Sequence, residues 1–169
     1  DAGNMIAGPL AATQMPDFGA DVIKLELPGS GDSMRHWTPM KEGLSLWWKV
    51  IARNKRLITL TLSQPRGQEL FRELIREADV LIENYRPGTF ERWGLGYEEL
   101  ARINPRLVMV RVSGFGQTGP YARRGGYGTI AEAFSGIPSF TGAPDRPPTL
   151  PGFPMADSVA STFAAMAAM

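Results

Sequence analysis

The chain has 169 residues, enough for one domain with a sizeable core, and its 43% hydrophobic and 21% charged residues are ordinary for a globular protein. A net charge of +1 leaves no electrostatic case for nucleic acid or an anionic membrane as the main partner, and no apolar run approaches a bilayer span. With no cysteine and a single histidine (His36), disulfides, thiolate nucleophiles and Cys/His metal sites are excluded within these residues, and no metal is expected. The lack of cysteine and of a basic-then-apolar leader suits a cytoplasmic protein.

Apolar runs alternate with helical patterns along the chain, which predicts an α/β fold with a mainly parallel sheet flanked by helices. A first helix is expected over 9–18, with Pro9 in its opening turn. Asp21–Glu26 alternates like a strand and ends at the Pro28-Gly-Ser-Gly-Asp32 loop. Leu57–Thr61 reads as a second strand, rich in β-branched residues. Ser63 is placed to cap a helix over 64–77, in which Leu70, Phe71, Leu74 and Ile75 share one face. A short buried strand follows at 79–83, then a turn at Pro87-Gly88, a helix near 97–103 and a strand at 107–112. Glycine and proline dominate 113–128, so a long functional loop is expected there. A helix over 129–135, a loop over 137–154 and a final helix from near Asp157 complete the chain. That helix has no terminating residue before Met169, so the chain is expected to be a fragment or partial sequence.

Three motifs carry possible chemistry. Gly114-Phe-Gly-Gln-Thr-Gly119 matches a dinucleotide fingerprint, but Pro120 and Arg123-Arg-Gly-Gly126 stand where a helix should open. No acidic strand end follows at the required distance, so a nucleotide site of that kind is rejected. Glu83-Asn-Tyr-Arg-Pro-Gly88 lies at the carboxyl end of a predicted strand, the edge where open α/β sheets bind ligands. Its Asn, aromatic ring and Arg could hold an adenine and a phosphate, or form an ordinary exposed turn. Asp157 opens an Ala-rich helix, where a carboxylate suits an N-cap and a nucleophile equally. Local chemistry alone does not separate these readings.

Seven motifs in order then resemble the class III CoA-transferases. They are Ala7-Gly-Pro9, Phe18-Gly-Ala-Asp-Val-Ile-Lys24, Pro28-Gly-Ser-Gly-Asp32, Asn54-Lys-Arg56, Glu83-Asn-Tyr-Arg-Pro-Gly88, Asn104-Pro-Arg-Leu107 and Ser113-Gly-Phe-Gly-Gln-Thr-Gly-Pro120. This family includes formyl-CoA transferase, carnitine CoA-transferase and the related α-methylacyl-CoA racemases. The resemblance implies a Rossmann-like large domain, of which 1–169 would be the amino-terminal portion. It further implies a smaller domain beyond, an interlocked homodimer at full length, and an isolated fragment that is inactive.

The resemblance also implies coenzyme A, as acyl-CoA substrate, contacted by Arg35, Leu60, Asn84, Tyr85 and Arg92, and an acyl-carrying carboxylate at Asp157. In the family, that carboxylate passes through an anhydride and an aspartyl-CoA thioester while CoA moves to an acceptor acid. Where the racemase branch has a histidine, this chain has Tyr127, and Gly128 replaces the acidic residue common beside it in transferases. Ile6 stands at the substrate-pocket position where formyl-CoA transferase has a glutamine, so the resemblance does not favour an oxalate-type acceptor. Racemisation of an acyl-CoA, or a non-catalytic CoA-binding remnant, are the alternatives.

Overall fold

The computed structural model describes all 169 residues. In chain order they form α1 (Ala7–Asp17), β1 (Val22–Glu26), a 3₁₀ turn (Ser33–His36), β2 (Met40–Lys41), β3 (Leu44–Ser45), α2 (Leu46–Ile51) and β4 (Lys55–Thr59). Then come α3 (Pro65–Glu77), β5 (Val80–Glu83), α4 (Thr89–Arg92), α5 (Tyr97–Ile103), β6 (Val108–Arg111), α6 (Gly128–Ser135), a second 3₁₀ turn (Ile137–Phe140) and α7 (Met155–Ala168).

The sheet is built from two parallel pairs, β1 with β4 and β5 with β6. Between the pairs lie Asp1 and Ala2. The Ala2 amide donates to the Ile82 carbonyl at 2.9 Å, and the Leu25 amide donates to the Asp1 carbonyl at 2.8 Å, so one hydrogen-bonded layer runs from β4 to β6. A small antiparallel hairpin, β2 with β3, stands apart. The main core lies under this layer: Leu25, Leu62, Phe71, Ile75, Leu81, Phe90, Leu95, Leu100 and Leu107 are all buried. Phe71 and Phe90 meet edge to face with centroids 6.0 Å apart, a geometry that adds specific attraction to plain area burial.

The expected α/β class with a parallel sheet holds. Several boundaries move. α1 starts at Ala7, two residues early, and β4 covers 55–59 rather than 57–61. Register decides the latter, because Val22–Glu26 pairs residue for residue with Lys55–Thr59. Ser63 does not cap α3. Gln64 occupies the N-cap position without a side-chain hydrogen bond, and Pro65 opens the helix with its fixed φ. The hairpin, α2, α4 and both 3₁₀ turns are additions to the sequence-based picture. No helix opens at Gly119, in keeping with the rejected nucleotide site; the next one begins at Gly128.

Candidate functional site

The Pro28–Asp32 loop and the Asn84–Tyr85 turn both follow parallel strands at their carboxyl ends, and a cleft of about 590 Å³ opens between them. Gly3, Asn4, Gly31, His36, Leu60 and Tyr85 are among its lining residues, with Trp93 at one side. Of the five residues expected to touch CoA, Leu60 and Tyr85 line this cleft. Arg35 and Asn84 border it through Glu26 and Asn4, and Arg92 is next in sequence to Trp93.

Arg35 forms a two-pronged pair with Glu26, Nε to Oε1 at 2.8 Å and Nη2 to Oε2 at 2.7 Å. Its guanidinium lies 4.1 Å from the centroid of Trp48. The Arg35 fork holds the Glu26 carboxyl below its ordinary range against the opposing effect of burial. Gly31 permits this pairing: at φ +67° it suits glycine, and a Cβ there would stand 2.7 Å from Arg35 Cδ.

Asn84 bridges backbone to backbone. Its Oδ1 accepts from the Asn4 amide and its Nδ2 donates to the Asn4 carbonyl, both at 2.8 Å. Gly3 and Gly8 press against the same side chain, where a Cβ would stand 2.9 and 3.1 Å from it. Beneath the turn, fully buried Glu83 accepts from the Tyr85 amide at 2.7 Å and from Arg111 Nε at 2.7 Å. Burial pushes the Glu83 carboxyl up, while Arg111 and the Tyr85 amide oppose the shift. Glu83 was visible as a strand end and as the first residue of its motif; its part in fixing the turn depends on Arg111, which is distant in sequence. Arg92 donates to Thr89 Oγ1 at 3.0 Å on the short helix beside the cleft.

Asp157 lies away from these lining residues, on the first turn of α7. It is not the helix cap. The N-cap position belongs to Pro154, and no side chain caps the helix. Pro154 O accepts instead from the Ser158 amide at 3.0 Å and from Ser158 Oγ at 2.8 Å. The Asp157 carboxylate lies against the start of α6, where a Cβ on Gly128 would stand only 2.3 Å from Asp157 Oδ2. Tyr127, 72% exposed, occupies the N-cap position of α6 next to it. Burial, reinforced by the Glu132 charge, raises the Asp157 carboxyl above the ordinary range. α7 is joined to the cleft through α1: Ser161 Oγ donates to the Ala7 carbonyl at 2.8 Å, and Gly8 beside it packs on Asn84. Ile6 is buried in a separate apolar cluster with Met34, Trp48 and Ile51.

The residue that sequence reasoning missed is Glu132. It is buried, and its Oε1 accepts from the Ala156 amide at 3.0 Å. The described residues hold no group of three or more His, Asp or Glu side chains suited to a metal, and no helix is long and apolar enough to cross a membrane.

An α/β layer with a cleft at its strand ends and a half-buried carboxylate on a helix turn is the frame this chain presents, and the chain belongs to CoA-transferase family III, whose model matches residues 1–169. Among its relatives is the succinyl-CoA–D-citramalate CoA-transferase of Chloroflexus aurantiacus, 53% identical over the whole of this chain and 42% of the relative. The acetyl-CoA:oxalate CoA-transferase of Acetobacter aceti is 47% identical over 90% of this chain and 39% of its own length. A crystal structure of a CaiB/BaiF family protein from Brucella suis superposes with a TM-score of 0.93 at 40% identity, covering 99% of this chain and 45% of that one. The chain thus spans about two-fifths of the length of the curated relatives it matches.

Proposed function

We propose that the protein containing this chain transfers CoA from an acyl-CoA thioester to a carboxylic acid, with Asp157 as the covalent carrier. The observation that carries this reading is the state of Asp157: half-buried, on a helix turn it does not cap, with its carboxylate raised in basicity. A carboxylate tied up in a cap is a weaker nucleophile than one without a hydrogen-bonded partner.

An Asp157 oxygen attacks the thioester carbonyl, the C–S bond breaks, and CoA leaves as thiolate, giving a mixed anhydride. The thiolate then attacks the Asp157 carbonyl of the anhydride and releases the first acid, leaving an aspartyl-CoA thioester. An acceptor carboxylate attacks this thioester and expels the thiolate, which takes the new acyl group and restores the Asp157 carboxylate. Overall one CoA thioester is exchanged for another with no change of oxidation state, so the exchange needs no redox cofactor, and the carboxylate rather than a metal carries the acyl group. CoA is expected in the cleft, with its adenosine side near Leu60 and Tyr85 and Arg35 and Arg92 at the rim. Tyr127 and Ile6 are assigned to the acyl pocket, Tyr127 beside Asp157 and Ile6 one residue before α1, on which α7 packs.

Racemisation fits less well, because the position beside Gly128 offers a phenol rather than the imidazole suited to proton exchange at neutral pH. The homodimer and a cytoplasmic location remain part of the proposal. Several relatives are named for succinyl-CoA with citramalate, malate or glutarate. The test therefore incubates the full-length protein with succinyl-CoA and a panel of those acids plus oxalate, and reads new CoA thioesters by mass spectrometry. Formation of at least one acceptor thioester is expected; only free CoA and succinate would refute the transfer.

Gly128 supplies a second prediction. Alanine there should change the melting temperature little, because Gly128 is the first residue of α6 and the atom the Cβ meets first is a side-chain end. The added Cβ nevertheless displaces the Asp157 carboxyl group, which is the end of a flexible side chain. Transfer by Gly128→Ala should fall about tenfold or more. A variant as active as the wild type would show that the observed carboxylate position is not the productive one.

A further inference from the structure

Gly128 and Glu132 are four residues apart on α6, so both lie on one face, one turn from each other. That face receives the first turn of α7 at two points. Gly128 lacks the Cβ that would collide with Asp157 Oδ2. Glu132, 3% exposed, accepts the Ala156 amide one residue before Asp157. The Ala156 amide is among the N-terminal donors that have no partner within their own helix, so a side chain from a different helix takes the place of a local cap. As Pro154 contributes no side-chain cap, this bond is what fixes the helix start from outside.

We propose that Glu132 is a positioning residue for Asp157: its carboxylate anchors the first turn of α7 against the Gly128 surface and holds the nucleophile oriented for attack. The inference rests on the reading of Asp157 as nucleophile.

The electrostatic surroundings support a second effect of the same group. α7 packs against α1, α6 and β6. α7 has no charged residue besides Asp157, α6 has only Glu132, and α1 has only Asp17, at its far end and paired with Arg53. On β6, Arg111 is already paired with Glu83 and Glu91. Glu132 is therefore the one charge that acts on Asp157, and it acts with like sign. A like charge disfavours ionisation and makes the carboxylate that does form more basic. Removing that charge should move the Asp157 titration to lower pH and weaken its attack.

The test uses the full-length protein with Glu132→Gln and Glu132→Ala. Glutamine keeps an oxygen for the Ala156 amide but removes the charge; alanine removes both. Each protein is incubated with succinyl-CoA across a range of pH, then quenched into hydroxylamine at one fixed pH, and the Asp157 hydroxamate is measured in a peptide digest. For Glu132→Gln, the midpoint of labelling should fall relative to wild type, and kcat should drop about three- to tenfold with KM nearly unchanged. Glu132→Ala should lose about a hundredfold in kcat, and the glutamine variant should recover part of that loss. If Glu132→Ala fails to fold, Glu132→Met, which keeps most of the volume and removes the acceptor, takes its place. Wild-type kcat in a folded Glu132→Ala, with Asp157 labelled normally in the wild type, would overturn the proposal and leave the nucleophile standing; an unmoved midpoint in Glu132→Gln would overturn the charge effect alone. No hydroxamate on wild-type Asp157 would overturn both.

Discussion

Asp157→Asn in the full-length protein should fold normally and lose CoA transfer by about a thousandfold or more. The stability half of this expectation comes from the geometry of α7. Asp157 is the third residue of the helix and donates nothing to its capping, so an isosteric amide removes no intrahelical hydrogen bond. The lost charge near a helix N-terminus costs about 0.3–1 kcal/mol, and up to about 2 kcal/mol where the group is partly buried. Relief from burying a carboxylate beside Glu132 offsets part of that. The activity half comes from chemistry: an amide oxygen is too weak a nucleophile to open a thioester, and no other step regenerates the carrier. Thermal melting and the succinyl-CoA transfer assay measure the two halves separately. A folded Asn variant with near-normal turnover would remove Asp157 from the mechanism.

Gly67→Ala should act in the opposite sense, through stability rather than chemistry. Gly67 is in the first turn of α3, and a Cβ there would stand 1.9 Å from the Thr61 carbonyl oxygen and 2.7 Å from its carbon. Both obstacles are backbone, so no side chain can rotate out of the way. The same carbonyl accepts the Gln64 amide at 3.1 Å, and Gln68 Nε2 donates to the Leu62 carbonyl at 3.1 Å, which ties the 61–64 turn to the helix. Alanine would gain helix propensity, but it must push α3 off this turn and disturb Leu62, Phe71 and Ile75 in the main core. The net expectation is a loss of about 3 kcal/mol, read as a lower denaturant midpoint with unchanged slope. CoA affinity should weaken as well, because Leu60, Leu62 and Ser63 line the cleft on the far side of the turn. An unchanged midpoint would mean that the approach of Gly67 to Thr61 is looser than described.

The parts of the fold legible in the sequence were those where one local pattern dominates. Val80–Ile82 and Val108–Val110 are uninterrupted apolar runs, and α3 has its apolar residues on one face. The segment 33–51 was not legible, because its tryptophans follow no helical or strand period and its hairpin strands are two residues each. The Ser63 cap was a sound local expectation overtaken by Pro65, whose ring sets the helix start without a capping hydroxyl. At the candidate site, Asn84, Tyr85 and Asp157 were found through motif resemblance, but their surroundings were not. Glu26, Glu83 and Glu132 read as ordinary polar positions; only the folded chain brings Arg35, Arg111 and the Ala156 amide to them. The Gly128/Glu132 spacing of one helical turn was the sole local hint of a shared face.

The position of Asp1–Asn4 has a consequence for synthesis. Each parallel pair of strands closes within a single crossover, β1 with β4 and β5 with β6, so either can form soon after its second strand leaves the ribosome. The segment between them cannot. The Asn4 amide waits for a partner 80 residues later in the chain. Until Ile82 and Asn84 emerge, residues 1–4 have only the β1 side to hold. The seam that unites the two halves is thus translated ahead of both and completed late, and the nascent chain carries it as an unfinished edge through most of the intervening synthesis.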